Sequence, residues 1–371
     1  MTSPDLRIVV EFDHFLRILA VILDPQAPDE HRRAVADFFA HDIPDFSGRC
    51  EQFRRQIPGL FPAQITFAAN EGELQSLLPD ADIVVLESLT LDGAAVARLK
   101  RSAIVQKFGA ISANIDVAAC ARRRIPVLTL PRKVNGAVAE HAFVLMAALA
   151  REITRYNGAV TAEYWEAQNR PFRSYDQRYT GASNFARIPG LRTLNGSTVG
   201  IVGFGEVGRE IARRAGAFGM SILYHQRTRL DASEELKLGT RYAELLELMA
   251  GSDFVIVQLP LNESTRGIIG RKELEALKPG AMLINAARAA LMDRDAVLWA
   301  LETGRLGGLA MDVGYQEPWP ADDPLLKHLG RNLIAMPHTA IGHREIGLSD
   351  LEQMCRKLWL VLDSRRTGRR N

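Results

Sequence analysis

The chain has 371 residues, 47% of them hydrophobic, enough apolar material for two separate cores. Its 46 Lys and Arg nearly balance 44 Asp and Glu, so the net charge of +2 excludes the strong field that gathers nucleic acid or an anionic membrane. Three scattered cysteines, Cys50, Cys120 and Cys355, supply neither a disulfide framework nor a metal-ligand spacing, and they favour a reducing compartment.

Asp5, Glu11 and Asp13 interrupt the first apolar residues, so the start does not read as a signal peptide. The longest apolar run, residues 142–150, follows Glu140 and His141 and is too short to span a bilayer. The basic tail, with Arg365, Arg366, Arg369 and Arg370, reads as a solvated end. These features predict a soluble, cytoplasmic protein without a metal, a nucleic-acid partner or a membrane partner.

Apolar runs alternate with helix-period segments throughout, the pattern of parallel α/β architecture. Residues 16–23 read as a strand, and 29–40 as a helix after Pro28. Strands are expected at 83–86, 104–108 and 127–130, with helices at 91–98 and 117–123 between them. Pro131 then ends a first α/β unit. A long Ala-rich helix is expected over 138–156, followed at 163–195 by an extended loop without clear periodicity.

A second unit opens at Thr198. Its strand runs into Gly203-Phe204-Gly205-Glu206-Val207-Gly208, and a helix-forming stretch follows at once. The first glycine permits the tight turn and the second lets a pyrophosphate approach the backbone. The third allows close packing of helix on strand, while the helix N-terminus offers N–H groups to the anion. Later strands are expected at 220–224, 254–259, 282–285, 309–313 and 333–336. A last helix, 345–363, is expected to return to the first domain.

Three residues fall at or just beyond strand ends of the second unit: Arg288, Glu317 and His338. Ligands of open α/β sheets bind outside the carboxyl ends of strands. Reducing a 2-oxo acid needs a proton donor at the carbonyl oxygen, and histidine titrates near neutral pH. A carboxylate bonded to that histidine favours its cation and fixes the ring, and an arginine grips the substrate carboxylate with two prongs.

With these residues the chain resembles the D-isomer-specific 2-hydroxyacid dehydrogenases. The matching stretches include Asn114-Ile115-Asp116, Val138-Ala139-Glu140-His141-Ala142, the glycine loop and Leu259-Pro260-Leu261. Asn285-Ala286-Ala287-Arg288, Asp312-Val313, Glu317-Pro318 and Met336-Pro337-His338-Thr339-Ala340 follow in order. The resemblance implies two doubly wound parallel-sheet domains, of Rossmann and flavodoxin type, with the active-site cleft between them. The substrate domain would be residues 1–133 with 340–371, and the dinucleotide domain 134–339. It implies His338 as acid/base, Glu317 as its partner, Arg288 as carboxylate binder and Asp312 as holder of the nicotinamide carboxamide. Pro260 and Ala286 join the cofactor set, and a homodimer through the region of the long helix is expected.

This chain also departs from the family. The loop that binds the substrate carboxylate usually reads Gly-x-Gly and here reads Gly109-Ala110-Ile111, so a branched side chain stiffens and reshapes it. Formate dehydrogenases carry glutamine where this chain has Glu317, which argues against formate oxidation. Tyr315 and Trp319 flank Glu317, and ordinary packing explains them as well as a pocket wall does. His141 reads first as a structural histidine. Arg132 and Lys133 read first as exposed charge at a hinge.

NAD enzymes place an acid roughly twenty residues beyond the glycines, on the ribose hydroxyl. Here the position is Gln226, followed by Arg227, Thr228 and Arg229. A missing carboxylate and two cations favour NADP(H) over NAD(H), as in glyoxylate and hydroxypyruvate reductases. The expected activity is therefore reduction of a 2-oxo acid. The alternative is a dinucleotide-sensing, corepressor-like binding protein on the same fold; a pure sensor has no need of Arg288, Glu317 and His338 together.

Overall fold

The computed structural model describes residues 6–367; Asp5 and the end of the basic tail, 368–370, lie outside them. The chain divides into two units, Met1–Gly136 with Ile341–Asn371, and Ala137–Ala340.

The first unit contains β1 (Leu6–Glu11), β2 (Ala63–Ala68), β3 (Ile83–Leu86), β4 (Ile104–Lys107) and β5 (Val127–Leu128). They pair in parallel in the order β2-β1-β3-β4-β5, so the chain reverses its direction of travel across the sheet between β1 and β3. The strand expected at 16–23 is absent: Ile18–Leu23 is a helix, and every residue of it is buried. An unbroken apolar run carries no period, so burial on all sides is compatible with either element. The first strand is instead β1, whose apolar centre Ile8-Val9-Val10 lies between Arg7 and Glu11.

Leu348, Leu351, Met354, Cys355 and Leu358 form one face of the last helix, Glu345–Thr367, at helical spacing. They join Ile8, Val10, Ile83 and Ile104 in a common core. From that helix the fully buried Asp350 accepts the backbone N–H groups of Lys133 at 2.9 Å and Val134 at 3.1 Å. It thereby caps the helix Lys133–Ala150 from 217 residues away. Asp350→Ala leaves two backbone donors unpaired, that of Val134 buried and that of Lys133 partly so, and is expected to cost about 2 kcal/mol. Urea denaturation measures this as a lower midpoint with an unchanged slope.

The second unit contains β6 (Thr198–Val202), β7 (Ser221–His225), β8 (Thr240–Tyr242), β9 (Phe254–Val257), β10 (Ala281–Asn285), β11 (Leu306–Met311) and β12 (Leu333–Ala335). All are parallel, in the order β12-β11-β10-β9-β6-β7-β8. The first three strands run one way from β6 and the rest run the other, so the switch point lies between β6 and β9. Both faces are covered. Val255, Val257 and Leu283 enter one core, while Phe254, Ile256 and Ile284 enter the other, the twofold alternation of a strand buried on both sides.

The long helix ends at Ala150, and Glu152, at φ +48°, separates it from the short helix Ile153–Tyr156. Between there and β6 the one regular element is the helix Ala162–Ala167, anchored by Trp165, which is buried and donates to the Ala159 carbonyl at 3.0 Å. Among the described residues no helix is long and apolar enough to cross a membrane.

Candidate active site

The glycine loop leaves β6 at the switch point. Gly203 has φ +99°, and a methyl group on it would lie 2.3 Å from the carbonyl oxygen of Gln258. Neither the conformation nor the space admits a side chain. A methyl group on Gly208 would lie 2.4 Å from the Gly203 carbonyl oxygen, so this glycine sets how closely the helix Glu206–Ala217 approaches the strand. At Gly205, the N-cap, the space a side chain would fill is open. Glu206 and Val207 form the first turn. An open, side-chain-free approach to a helix N-terminus fits the pyrophosphate of a dinucleotide.

At the end of β7, Gln226 turns its amide nitrogen back to the Thr228 carbonyl at 2.6 Å. The two arginines of this loop differ. Arg229 is held by Glu235 through two hydrogen bonds of 2.8 Å. Glu235 also accepts from the buried Tyr224 hydroxyl at 2.7 Å, and that hydroxyl accepts the Leu230 N–H. The Arg229 and Tyr224 hydrogen bonds hold the Glu235 carboxyl down to about 2. Arg227 is exposed and has no ion pair among the described residues. It therefore carries the open positive charge of the loop, while Arg229 fastens the loop to the helix Ala232–Leu238.

The candidate catalytic residues follow β10, β11 and β12. Glu317 accepts the Gly314 N–H on Oε1 at 2.9 Å and meets His338 Nδ1 on Oε2 at 2.9 Å. Burial pushes the Glu317 carboxyl up, but the bonds from His338 and Gly314 outweigh it and hold the group below the usual carboxylate range. With Nδ1 taken by Glu317, Nε2 of His338 is the nitrogen left for a substrate. His338 adopts φ +57°, a left-handed conformation that costs a non-glycine residue about 1–3 kcal/mol.

Asp312 enforces that conformation. Its carbonyl accepts the His338 N–H, and its two carboxylate oxygens accept the Thr339 and Ala340 N–H groups, all at 2.8 Å. The residue is 0% exposed, and His141 Nε2 stands 3.2 Å from Oδ1, at ion-pair distance without hydrogen-bond alignment. Burial raises the Asp312 carboxyl, and His141 with the two backbone donors brings it below the usual range. A carboxamide at Asp312 would share oxygens already engaged by the turn. His141, read first as structural, sits against this carboxylate.

Arg288 is exposed, with Nη1 on the Ala287 carbonyl at 2.7 Å. Its backbone is positioned by the fully buried Asn285, which accepts the Ala287 N–H at 3.0 Å and donates to the Arg288 carbonyl at 2.8 Å. The signal for Asn285 was present in the sequence: an Asx residue at a strand end bonds its own turn. No sequence signal pairs Arg229 with Glu235. Pro260 is exposed, and its carbonyl accepts the Thr265 hydroxyl at 2.7 Å; Ala286 is buried. Tyr315 and Trp319 pack against the core of this unit.

In the first unit, the loop Gly109, Ala110 and Ile111 follows β4. The Gly109 carbonyl accepts the Leu130 N–H at 2.8 Å, Ala110 is exposed and Ile111 is half-buried. A separate cavity of about 400 Å³ in the second unit is lined by Arg155, His328, Arg331 and Asn332 and contains none of the candidate residues.

A family model for the NAD binding domain of D-isomer specific 2-hydroxyacid dehydrogenases matches residues 143–340. A glyoxylate reductase of Thermococcus litoralis is 32% identical over 271 residues, 72% of this chain and 77% of that protein. A hydroxypyruvate reductase of Thermotoga maritima is 32% identical over 292 residues, 77% of this chain and 88% of that protein. Among solved structures, a glyoxylate reductase from Paecilomyes thermophila superimposes with a TM-score of 0.56 at 26% identity, covering 96% of this chain and 95% of that one.

Proposed function

This chain belongs to the D-isomer-specific 2-hydroxyacid dehydrogenases, nicotinamide-dinucleotide-dependent oxidoreductases acting on a CH–OH group, and we propose that it works as an NADPH-linked reductase of a short 2-oxo acid. The observation that carries this reading is the 2.9 Å hydrogen bond joining Glu317 to His338, in the same unit as Arg288 and the glycine loop.

When bound, the reduced nicotinamide supplies the hydride that reaches the substrate's carbonyl carbon. His338 donates a proton from Nε2 to the carbonyl oxygen, giving the D-2-hydroxy acid, and regains a proton from solvent before the next turnover. Glu317 favours the cationic ring and fixes its orientation. Arg288 turns from the Ala287 carbonyl to grip the substrate carboxylate with two parallel hydrogen bonds. Gly109, Ala110 and Ile111 are assigned to substrate binding through backbone N–H groups. Asp312 serves the cofactor's carboxamide and holds the turn of His338.

For the cofactor, Gln226 in place of an acid, the open charge of Arg227 and the Thr228 hydroxyl support a 2′-phosphate. Arg229 contributes by keeping the loop in place through Glu235. Loss of NADPH and of NADH absorbance with glyoxylate, hydroxypyruvate, pyruvate and phenylpyruvate tests the activity; absence of turnover by folded protein across that panel sinks it. The double change Gln226→Asp with Arg227→Ala is expected to move the NADPH-to-NADH ratio of kcat/KM at least about tenfold toward NADH. An unmoved ratio refutes the assignment of the 2′-phosphate.

Exposed apolar residues on and after the long helix, Val144, Ile153, Val160 and Tyr179, support a homodimer through this region. The three cysteines are free and buried, which supports a cytoplasmic setting.

A further inference from the structure

Glu87 follows β3 directly, beside the β1/β3 reversal, where open α/β sheets of this strand order take their ligands. Its backbone is held from three sides. Glu11, at the end of β1 and 6% exposed, accepts the N–H groups of Glu87, Ser88 and Leu89 at 2.7, 2.7 and 2.9 Å and also the Ser88 hydroxyl. Lys107, at the end of β4, donates to the Glu87 carbonyl, and Asn114 donates to the Leu89 carbonyl at 2.8 Å.

The carboxyl group of Glu87 is much less engaged. It has one long contact among the described residues, 3.3 Å from Arg132 Nη1, although a carboxylate has room for about four donors. Arg132 lies 4.3 Å over the Phe108 ring, and its Nε is buried without a partner. Burial pushes the Glu87 carboxyl above the usual range, Arg132 and Lys107 oppose that rise, and Asp13 and Glu11 add to it. A rigid mount thus presents an under-used acceptor. The residue that anchors it, Lys107, stands two positions before Gly109.

The charges around this point are Glu11, Asp13 and Glu87 against Lys107 and Arg132, one net negative, which disfavours a second carboxylate or a phosphate on the ligand. A neutral donor suits it. We propose that Glu87 is a specificity-determining residue that accepts a hydrogen bond from a hydroxyl on the carbon next to the substrate carbonyl. The enzyme thereby selects 3-hydroxy-2-oxo acids over the same acids without the hydroxyl and over dianionic 2-oxo acids. This assignment rests on the proposed reductase activity and on the role given to residues 109–111.

The test compares kcat/KM for hydroxypyruvate, pyruvate and oxaloacetate, each normalised to glyoxylate, which lacks that carbon altogether. Wild-type protein is expected to prefer hydroxypyruvate to pyruvate at least tenfold, and Glu87→Met to lower that preference at least tenfold, about 1.4 kcal/mol. Glu87→Gln keeps a neutral acceptor of the same shape. It is expected to retain most of the preference while gaining at least tenfold on oxaloacetate. A wild-type enzyme indifferent to the hydroxyl, a preference unchanged in Glu87→Met, or no gain on oxaloacetate in Glu87→Gln overturns the assignment. If Glu87→Met does not fold, the wild-type ratio and the Glu87→Gln series still decide. Failure of the wild type to turn over any of the four acids overturns the reductase reading itself, a separate result.

Discussion

His338→Ala is expected to lower kcat about 1,000-fold while the Kd for the dinucleotide stays close to wild type. The two halves of this result have separate causes. In the proposed reaction, removing the imidazole removes the proton donor that Glu317 holds in place. The glycine loop lies at the end of β6, and its Gly203 and Gly208 geometry depends on Gln258 and on the loop's own backbone, so cofactor binding has no need of the ring. Alanine also faces the φ of +57° that Asp312 imposes, so a thermal melt accompanies the kinetics. A folded variant retaining more than a tenth of wild-type kcat would remove His338 from the proton-transfer role. Fluorescence titration with NADPH measures the binding half.

Arg288→Ala is expected to lower kcat/KM for the 2-oxo acid about 1,000-fold, about 4 kcal/mol, through both KM and kcat. A guanidinium that grips the carboxylate with two prongs also polarises the adjacent carbonyl, so its loss weakens the ground state and the transition state together. Arg288→Lys keeps the charge without the planar fork and is expected to recover only a small part of the loss. The turn itself should survive both changes, since Asn285 holds it through the backbone of Ala287 and Arg288. Steady-state kinetics over a range of acid concentrations separate the two parameters. A loss confined to KM would place Arg288 in substrate binding alone.

Much of this site was legible from the chain. Gly203, Gly205 and Gly208 fall in a strand-loop-helix order whose meaning is largely local: Gly208 answers to the Gly203 carbonyl and Gly203 to the residue that follows β9, while Gly205 faces open space. Arg288, Glu317 and His338 were picked out as candidates for a related reason, and the structure pairs two of them, Glu317 and His338. Parallel strands place whatever follows them at one edge of the sheet, so position after a strand already implies proximity to the ligand. The parallel α/β class was readable from alternation alone, though β1 was not, since Arg7 and Glu11 bracket its apolar centre while residues 18–23 offer an unbroken apolar run with no period.

What only the tertiary structure decided are the hydrogen bonds between residues far apart in sequence. Asp312 sets the backbone of His338, 26 positions later, through its own carbonyl and through the two residues beyond. Glu235 takes one of the two arginines that composition alone treats as equivalent, leaving Arg227 as the open charge. Glu11 fixes the loop that carries Glu87, 76 residues away. In each case the residue type is visible in the chain but its partner depends on strand order and on the angle at which a helix packs. Short-range periodicity carries information about elements and their ends; the pairing of buried charges is settled only when those elements meet.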